Sequence, residues 1–117
     1  MSVTIISTRQ RVFELFYKVY ATLVNFPRRE QNGIQLLIKQ GFGKCLSRLE
    51  EADKIPGNKS HYIKRALAGL NDSATWLEIS YRNKYINLGF WEECSIIITK
   101  IREEMGELIN KLNTRRK

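Results

Sequence analysis

The fold of this chain is decided by residues 34–53, which read IQLLIKQGFGKCLSRLEEAD. Apolar residues recur in this segment three and four positions apart, a spacing that aligns them on one face of an α-helix. Gly41 falls on that face, although a glycine inside a helix costs up to about 1 kcal/mol relative to alanine. We therefore expect a neighbouring helix to pack closely at Gly41, in preference to a hinge at this position.

Three more segments have the same helical spacing, and short breaks separate the four. Pro27 ends the first, because a proline disfavours the α region at the residue before it. The sequence Ile55-Pro56-Gly57-Asn58 ends the second. The predicted helices cover about residues 8–25, 28–53, 60–85 and 88–113.

Local signals predict where these helices begin and end. Ser7 to Gln10 has the S-x-x-Q form of a capping box, which places the start of the first helix at Ser7. Asn87 is the expected N-cap of the fourth helix. The basic tail, residues 114–117, is expected to fray.

Four amphipathic helices with brief connections predict a single all-α domain over residues 1–117, folded as an antiparallel up-down four-helix bundle. No apolar run approaches the roughly 20 residues that a membrane-spanning helix requires. Cys45 and Cys94 lie on apolar faces and are expected to be reduced core residues of a cytoplasmic protein. Val12, Phe16, Val19, Tyr20 and Leu23 recur at helical spacing and make one apolar stripe of the first helix.

The chain is strongly basic, with 20 Lys and Arg residues, 12 Asp and Glu residues and a net charge of +8. Folding does not require this excess, so we interpret it as a means of attracting a polyanion. The cations concentrate early, since the chain through Arg48 has eight of them and only two acids, Glu14 and Glu30. For any single cation, an ordinary solvated side chain is the alternative. The candidate nucleic-acid-binding residues are Arg9, Arg11, Lys18, Arg28, Arg29, Lys39, Lys44, Arg48, Lys59, Lys64 and Arg65.

The residue types that catalysis requires do not come together in the sequence. The one histidine, His61, has no convincing acid–base partner. The acids at positions 50, 51 and 53 lack a histidine with which to bind a metal. No glycine-rich phosphate loop or nucleophile motif is present. We therefore expect a protein that is not an enzyme and that needs neither a metal nor a cofactor.

Some large apolar residues lie outside the main stripe of each helix, including Phe13, Leu36 and Ile97. They indicate that copies of the chain associate. Phe90 and Trp91, at the start of the fourth helix, could stack on bases, but aromatic residues at helical spacing more often belong to a core or a subunit interface. We assign these two to the oligomer interface.

Short sequences along most of the chain resemble a family of bacterial four-helix-bundle proteins. They are Phe26-Pro27-Arg28-Arg29-Glu30 with Ile34 and Ile38, Arg48-Leu49-Glu50-Glu51-Ala52, Ala66-Leu67, Leu70-Asn71, Leu77-Glu78-Ile79-Ser80, Tyr85-Ile86-Asn87 with Trp91, and Ile101, Leu108, Ile109 and Leu112. Two branches of this family are similar to the chain. One is the accessory variability determinant (Avd) family of diversity-generating retroelements, and the other is encoded in intervening sequences of bacterial large-subunit ribosomal RNA.

The two branches differ late in the second helix. The ribosomal-RNA branch usually has Asn-Ile-Ala-Glu-Gly where this chain has Arg48-Leu49-Glu50-Glu51-Ala52, and that difference favours the Avd branch. In the other direction, Leu77-Glu78-Ile79-Ser80 is close to the ribosomal-RNA branch, and Met105-Gly106-Glu107-Leu108 replaces the glycine-rich end of many Avd proteins.

The resemblance implies a ring-like homo-oligomer, a pentameric barrel of bundles with a basic surface. It also implies that the protein binds a dedicated reverse transcriptase and RNA, DNA or both. In this role the protein would support mutagenic cDNA synthesis and retrohoming of variable sequence into a target gene. The alternatives are a protein of the ribosomal-RNA branch and a structural homo-oligomeric scaffold whose charge is incidental.

Overall fold

The structure, a computed structural model, describes residues 3–115. Its helices are α1 (Ile5–Leu23), a short 3-10 helix (Arg28–Glu30), α2 (Ile34–Lys54), α3 (Lys59–Arg82) and α4 (Leu88–Arg115). The part of the chain that is described contains no strand, so the all-α class is confirmed. The four α-helices form a bundle in which α2 packs against α1 and α3, and α4 packs against α3 and α1.

α1 begins three residues before the predicted start because a different hydroxyl caps it. The Thr4 side-chain oxygen accepts a hydrogen bond from the Ser7 N–H at 3.0 Å, and Ser7 Oγ accepts one from the Thr4 N–H at 3.0 Å. Thr4 is therefore the N-cap, and Ser7 takes the third helical position, where a capping box usually has Glu or Gln. The capping box predicted from Ser7 to Gln10 is wrong.

α2 begins six residues later than predicted, after the 3-10 helix and a turn at Gly33. An ideal Cβ at Gly33 would lie 2.7 Å from Glu30 Oε1, so glycine leaves the space that this carboxylate occupies. The same oxygen accepts a hydrogen bond from the Ile34 N–H at 3.3 Å. A glutamate side chain thus satisfies one of the free backbone donors at the start of α2.

α3 ends at Arg82, three residues before the predicted end, in a Schellman motif. The Tyr85 N–H donates to the Ser80 carbonyl at 2.8 Å, and the Lys84 N–H donates to the Tyr81 carbonyl at 2.9 Å. This motif requires a left-handed residue after the helix, and Lys84 supplies it with a φ of 64°. The motif stops the helix although the apolar pattern continues to Tyr85.

α4 begins where the sequence predicts. Asn87 Oδ1 accepts a hydrogen bond from the Phe90 N–H at 2.8 Å, which confirms Asn87 as the cap. The helix continues through Thr114 and Arg115, two residues beyond the predicted end. Arg116 and Lys117, the rest of the tail that was expected to fray, lie outside the described residues.

α2 and α3 approach each other closely at two glycines. A Cβ at Gly41 would lie 2.1 Å from Ser73 Oγ and 2.7 Å from the carbonyl oxygen of Gly69. A Cβ at Gly69 would lie 2.8 Å from the Gly41 carbonyl oxygen. Ser73 Oγ also donates a buried hydrogen bond to the Ile38 carbonyl at 2.7 Å. The packing role predicted for Gly41 is confirmed, and its partner is a second glycine.

α1 joins this pair through side chains. Its buried apolar residues are Val12, Leu15, Val19 and Leu23. Phe16, at the edge of that face, stacks on Phe42 of α2 with 4.9 Å between ring centroids. Tyr20, which the sequence places on the apolar stripe of the first helix, is exposed, because the buried face of α1 runs through Leu15. Among the described helices, none is both long enough and apolar enough to cross a membrane.

Candidate nucleic-acid interface

Four of the eleven candidate cations form ion pairs within the chain. Arg9 Nε lies 3.2 Å from Glu50 Oε2 of α2, and Arg11 Nε lies 2.6 Å from Glu104 Oε2 of α4. The other two pairs are Lys18 with Glu93 and Arg48 with Glu51. Because each of these four cations already lies beside a carboxylate, its attraction for a polyanion is reduced.

Glu104 joins α1 and α4 through two contacts. Its other carboxylate oxygen, Oε1, accepts a hydrogen bond from the Thr8 hydroxyl at 3.2 Å. Thr8 is buried, and the Glu104 side chain is mostly covered. Arg11 therefore contributes to the contact between α1 and α4, in addition to being a cation at the surface.

Two more candidate cations have structural contacts of other kinds. The ammonium of Lys59 donates hydrogen bonds to the carbonyls of Ala52 at 2.5 Å and Asp53 at 3.4 Å. These carbonyls lie in the last turn of α2, where a cation also complements the helix dipole. The Lys39 ammonium lies 5.1 Å from the centre of the Tyr20 ring, a cation–π distance.

The remaining five candidates are exposed, and no ion pair involving them is found among the described residues. They are Arg28, Arg29, Lys44, Lys64 and Arg65. We call these five the free cations. All of them lie on the 3-10 helix, α2 and α3, and none lies on α1. α1 therefore contributes only paired cations to the candidate set, whereas α2 contributes both the paired Arg48 and the free Lys44.

The close approach of α2 and α3 places Lys44 beside α3. A Cβ at Gly69 would lie 3.3 Å from Lys44 Cβ, so the base of this lysine side chain lies next to the Gly69 backbone. Arg65 precedes Gly69 by four residues and shares its side of α3. Lys44 and Arg65 therefore lie on one flank of the α2–α3 pair. Lys64, which precedes Arg65 in sequence, is also exposed.

Arg28 and Arg29 are carried by a segment that is anchored at both ends. Phe26 is buried, and its ring centroid lies 5.3 Å from that of Tyr85. The Tyr85 hydroxyl donates a hydrogen bond to Glu30 Oε2 at 2.9 Å. The segment that carries the two arginines is thus held in place on both sides, at the end of the bundle where α2 begins.

The aromatic residues assigned to the oligomer interface, Phe90 and Trp91, are half-buried and pack against the bundle core. Trp91 also lines a cleft between α3 and α4, with Glu78 and Arg102 among its neighbours. Their role as an interface stays a prediction.

Both cysteines are buried with free thiols, as expected of core residues. Burial raises the pKa of Cys45 to about 12. Burial also raises the pKa of Cys94 to about 11; the nearby Glu93 charge adds to this effect and Lys18 opposes it. Within residues 3–115, no group of three or more His, Cys, Asp and Glu side chains is placed to hold a metal ion.

Two features of the structure were not predicted in full from the sequence. The contact between Glu30 and Tyr85 spans 55 residues, and no local pattern indicates it. An exposed apolar strip along α1 and its C-cap is formed by Ile6, Phe13, Tyr17, Tyr20 and Val24. Of these five residues, only Phe13 was predicted from the sequence to lie outside the main apolar stripe. The signal for the strip was present, because the gaps of seven, four, three and four residues are helical spacing.

Comparison of the chain with protein-family models, with curated proteins and with solved structures finds no match. Membership of the Avd family therefore stays a prediction that rests on the residues quoted above.

Proposed function

We propose that this protein is a non-enzymatic accessory subunit of a diversity-generating retroelement. In this role it binds nucleic acid through the free cations of the 3-10 helix, α2 and α3. It also binds a reverse transcriptase and supports mutagenic cDNA synthesis and retrohoming in the cytoplasm. The retroelement and the reverse transcriptase enter from the resemblance to Avd proteins, whereas the nucleic-acid surface is argued from charge.

The observation that carries the proposal is the set of free cations. Arg28, Arg29, Lys44, Lys64 and Arg65 are exposed, and acids of the chain pair with other cations. A phosphate backbone gains more from a cation that has no competing carboxylate, because binding then releases a condensed counterion without breaking an ion pair. Contacts of this kind give affinity but little sequence preference.

The proposed assembly is a ring-like homo-oligomer of antiparallel bundles, a pentamer with Phe90 and Trp91 in the interface between neighbours. In such a ring each bundle presents the same cation-rich flank, so several weak phosphate contacts act together on one strand. The exposed apolar residues of α1 and α4 provide further area for association.

Titration of single-stranded RNA, single-stranded DNA and duplex DNA against the protein at increasing salt tests nucleic-acid binding. We expect binding to all three, with the logarithm of affinity falling linearly as the logarithm of salt concentration rises. Affinity that is absent at low salt, or constant as salt rises, would contradict the proposal and favour a scaffold whose charge is incidental.

The partner is tested separately. A reverse-transcriptase gene beside this gene, and co-elution of the two purified proteins, are the expected results. An open reading frame that lies within ribosomal DNA would instead place the chain in the ribosomal-RNA branch.

A further inference from the structure

A groove lies where the end of α1 meets the start of α2, and we call it the α1–α2 groove. The end of α1 and the turn after it form an apolar side, which includes the ring of Tyr20. The other side is polar and is formed by Arg28, Gln31, Gln35 and Lys39. The volume of the groove is about 320 Å³, near the lower end for sites that bind small organic groups. None of the described residues in its wall is acidic.

The Gln35 side chain is the strongest sign that the groove binds a ligand. Gln35 is only 9% exposed, and no hydrogen bond of its amide is found within residues 3–115. A polar group that is so nearly removed from water normally has a hydrogen-bond partner. Because Gln35 lines the groove, a ligand bound there can use the amide, which has one acceptor oxygen and two donor hydrogens.

The Tyr20 ring is held in the groove by two neighbours and is still half exposed. Phe16 meets it edge-on, with 6.0 Å between ring centroids and 78° between the ring planes. The Lys39 ammonium lies 5.1 Å from the centre of the ring. Tyr20 is nevertheless 54% exposed, so a planar group can stack on it. Lys39 has a flexible side chain, and its ammonium can turn from the ring to a phosphate when such a group binds.

The groove carries positive charge that the fold does not neutralise. Arg28 comes from the 3-10 helix and Lys39 from α2, and no ion pair of either is found in the part of the chain that the structure describes. Since no acid lies in the wall, this part of the surface attracts anions. Arg29, which is exposed directly after Arg28, extends the positive charge beyond the groove.

A nucleotide with an unpaired base has the three kinds of group that this groove can bind. Its base is planar and stacks on aromatic rings, and the edge of the base has donors and acceptors that glutamine amides recognise. Its phosphate is held by arginine and lysine. In a duplex the bases are already stacked and paired, so they cannot reach the ring. The further charge at Arg29 favours a continuous strand over a free nucleotide, because a strand has a phosphate at every residue.

We infer that the α1–α2 groove holds one unpaired base of a single-stranded nucleic acid. The base stacks on Tyr20, its edge meets the amides of Gln31 and Gln35, and the neighbouring phosphates lie at Arg28 and Lys39. The inference rests on the proposed function, because it names the kind of nucleic acid that the basic surface selects. It does not depend on the number of copies in the oligomer.

Two oligonucleotides with the same phosphates test the groove. One is an oligothymidylate of about 12 nucleotides, within the site sizes of single-strand-binding grooves, and the other has the same length but lacks its central bases. The full-length parent should bind the intact strand about fivefold more tightly than the abasic strand, or better. Tyr20→Ala should lose this difference and bind the abasic strand like the parent, because its cations are unchanged.

Tyr17→Ala is the matched control. Tyr17 is also an exposed tyrosine of α1, but it does not line the groove. This variant should bind both strands like the parent. Circular dichroism of both tyrosine variants should match that of the parent, since both side chains are exposed.

The buried amide has its own test in Gln35→Leu, which keeps a similar volume and removes the polar group. If the ligand is the partner of the amide, this variant should bind the intact strand about fivefold more weakly, while its free energy of unfolding equals or exceeds that of the parent. Unchanged binding in Gln35→Leu would overturn the role of this amide. A lower free energy of unfolding would show that the amide supports the fold instead.

Three results would overturn the groove as a base-binding site: equal affinity of the parent for the two strands, a Tyr20→Ala variant that still prefers the intact strand, or the same loss in Tyr17→Ala. Displacement of the intact strand by ATP at the same concentration would also overturn the inference, and would identify a site for free nucleotides. Failure of the proposed function is a separate result, because the parent would then bind neither strand at low salt, and the inference would fail with it.

Discussion

α1 and the α2–α3 pair both carry candidate cations, but the fold uses them differently. On α1, Arg9, Arg11 and Lys18 all pair with glutamates that come from other helices. On α2 and α3 the candidates are mixed: Arg48 pairs with Glu51, and Lys39 and Lys59 have other contacts within the chain. Lys44, Lys64 and Arg65 are exposed and have no ion-pair partner among the described residues. An excess of charge along a chain therefore does not identify a charged surface, because folding can bring acids from a distant segment to neutralise it.

The two regions also pack by different means. α2 and α3 meet through backbone and small residues at Gly41, Gly69 and Ser73. α1 is attached through larger side chains, including Phe16 against Phe42, and it leaves apolar rings on its outer face. The α2–α3 pair should thus be sensitive to added volume, and α1 to lost volume.

The largest effect is expected from Gly41→Ala. The added Cβ would meet Ser73 Oγ and the Gly69 carbonyl oxygen, so the helices must separate, and we expect a loss of about 3 kcal/mol in the free energy of unfolding. Gly43→Ala is the control, since a Cβ there has no neighbour within 4 Å. It should stabilise α2 by about 0.5–1 kcal/mol. Urea unfolding measures the change in unfolding free energy of both variants. If the two substitutions changed it equally, the crossing of α2 and α3 at Gly41 would have room for a side chain.

Replacing a large side chain of α1 with a smaller one should lower the free energy of unfolding by less than Gly41→Ala does. Phe16→Ala deletes a half-buried ring that stacks on Phe42, and we expect a loss of about 2 kcal/mol in unfolding free energy. Phe13→Ala, on the exposed strip, should change the stability of the isolated subunit by no more than about 0.5 kcal/mol. The measurement is urea unfolding of each variant and of the parent at the same protein concentration. A larger loss of unfolding free energy in Phe13→Ala would show that the exposed strip packs against other residues of the same subunit.

A smaller effect should appear in alkaline solution. Unfolded thiols ionise near pH 9.0, whereas the native pKa values are about 12 for Cys45 and about 11 for Cys94. Below pH 9 both states hold the protons, so the contribution of the thiols to stability is fully present. Above pH 9 the unfolded state releases them first, and stability falls by up to about 1.4 kcal/mol per pH unit for each thiol.

Unfolding free energies of the parent and of the Cys45→Ala/Cys94→Ala variant, measured from pH 8 to pH 10.5, test this effect. The variant should be less stable at pH 8 because of lost packing, but its stability should fall less steeply with pH. Parallel curves would mean that the thiols are exposed in the native state.

The helical part of the fold could be predicted well from the sequence because its causes are local. Periodic apolar residues gave four helices, Asn87 gave the start of α4, and the position of Gly41 on an apolar face indicated a close crossing. The errors at helix ends came from competing local chemistry. Thr4 caps α1 in place of Ser7, and Glu30 with Gly33 delays the start of α2.

The residues of the candidate nucleic-acid interface could not be predicted from local sequence in the same way. Whether a cation is free depends on acids far away in sequence: the partner of Arg9 lies 41 residues away and that of Arg11 lies 93 residues away. Helical spacing within one segment does not indicate such distant partners. The sequence could indicate which residues are charged, but only tertiary contacts separate the free cations from the paired ones.

The most direct test of this separation compares two variants that lose the same charge. One replaces the exposed Lys44, Lys64 and Arg65 with glutamine, and the other replaces the paired Arg9, Arg11 and Lys18 with glutamine. The measurement is the affinity for single-stranded RNA as a function of salt concentration. We predict that the first variant binds at least tenfold more weakly and that its salt slope falls by about one unit for each lost phosphate contact. The second variant should keep the parent's slope. Equal losses in the two variants, or a larger loss in the second, would contradict the division of the surface into free and paired cations.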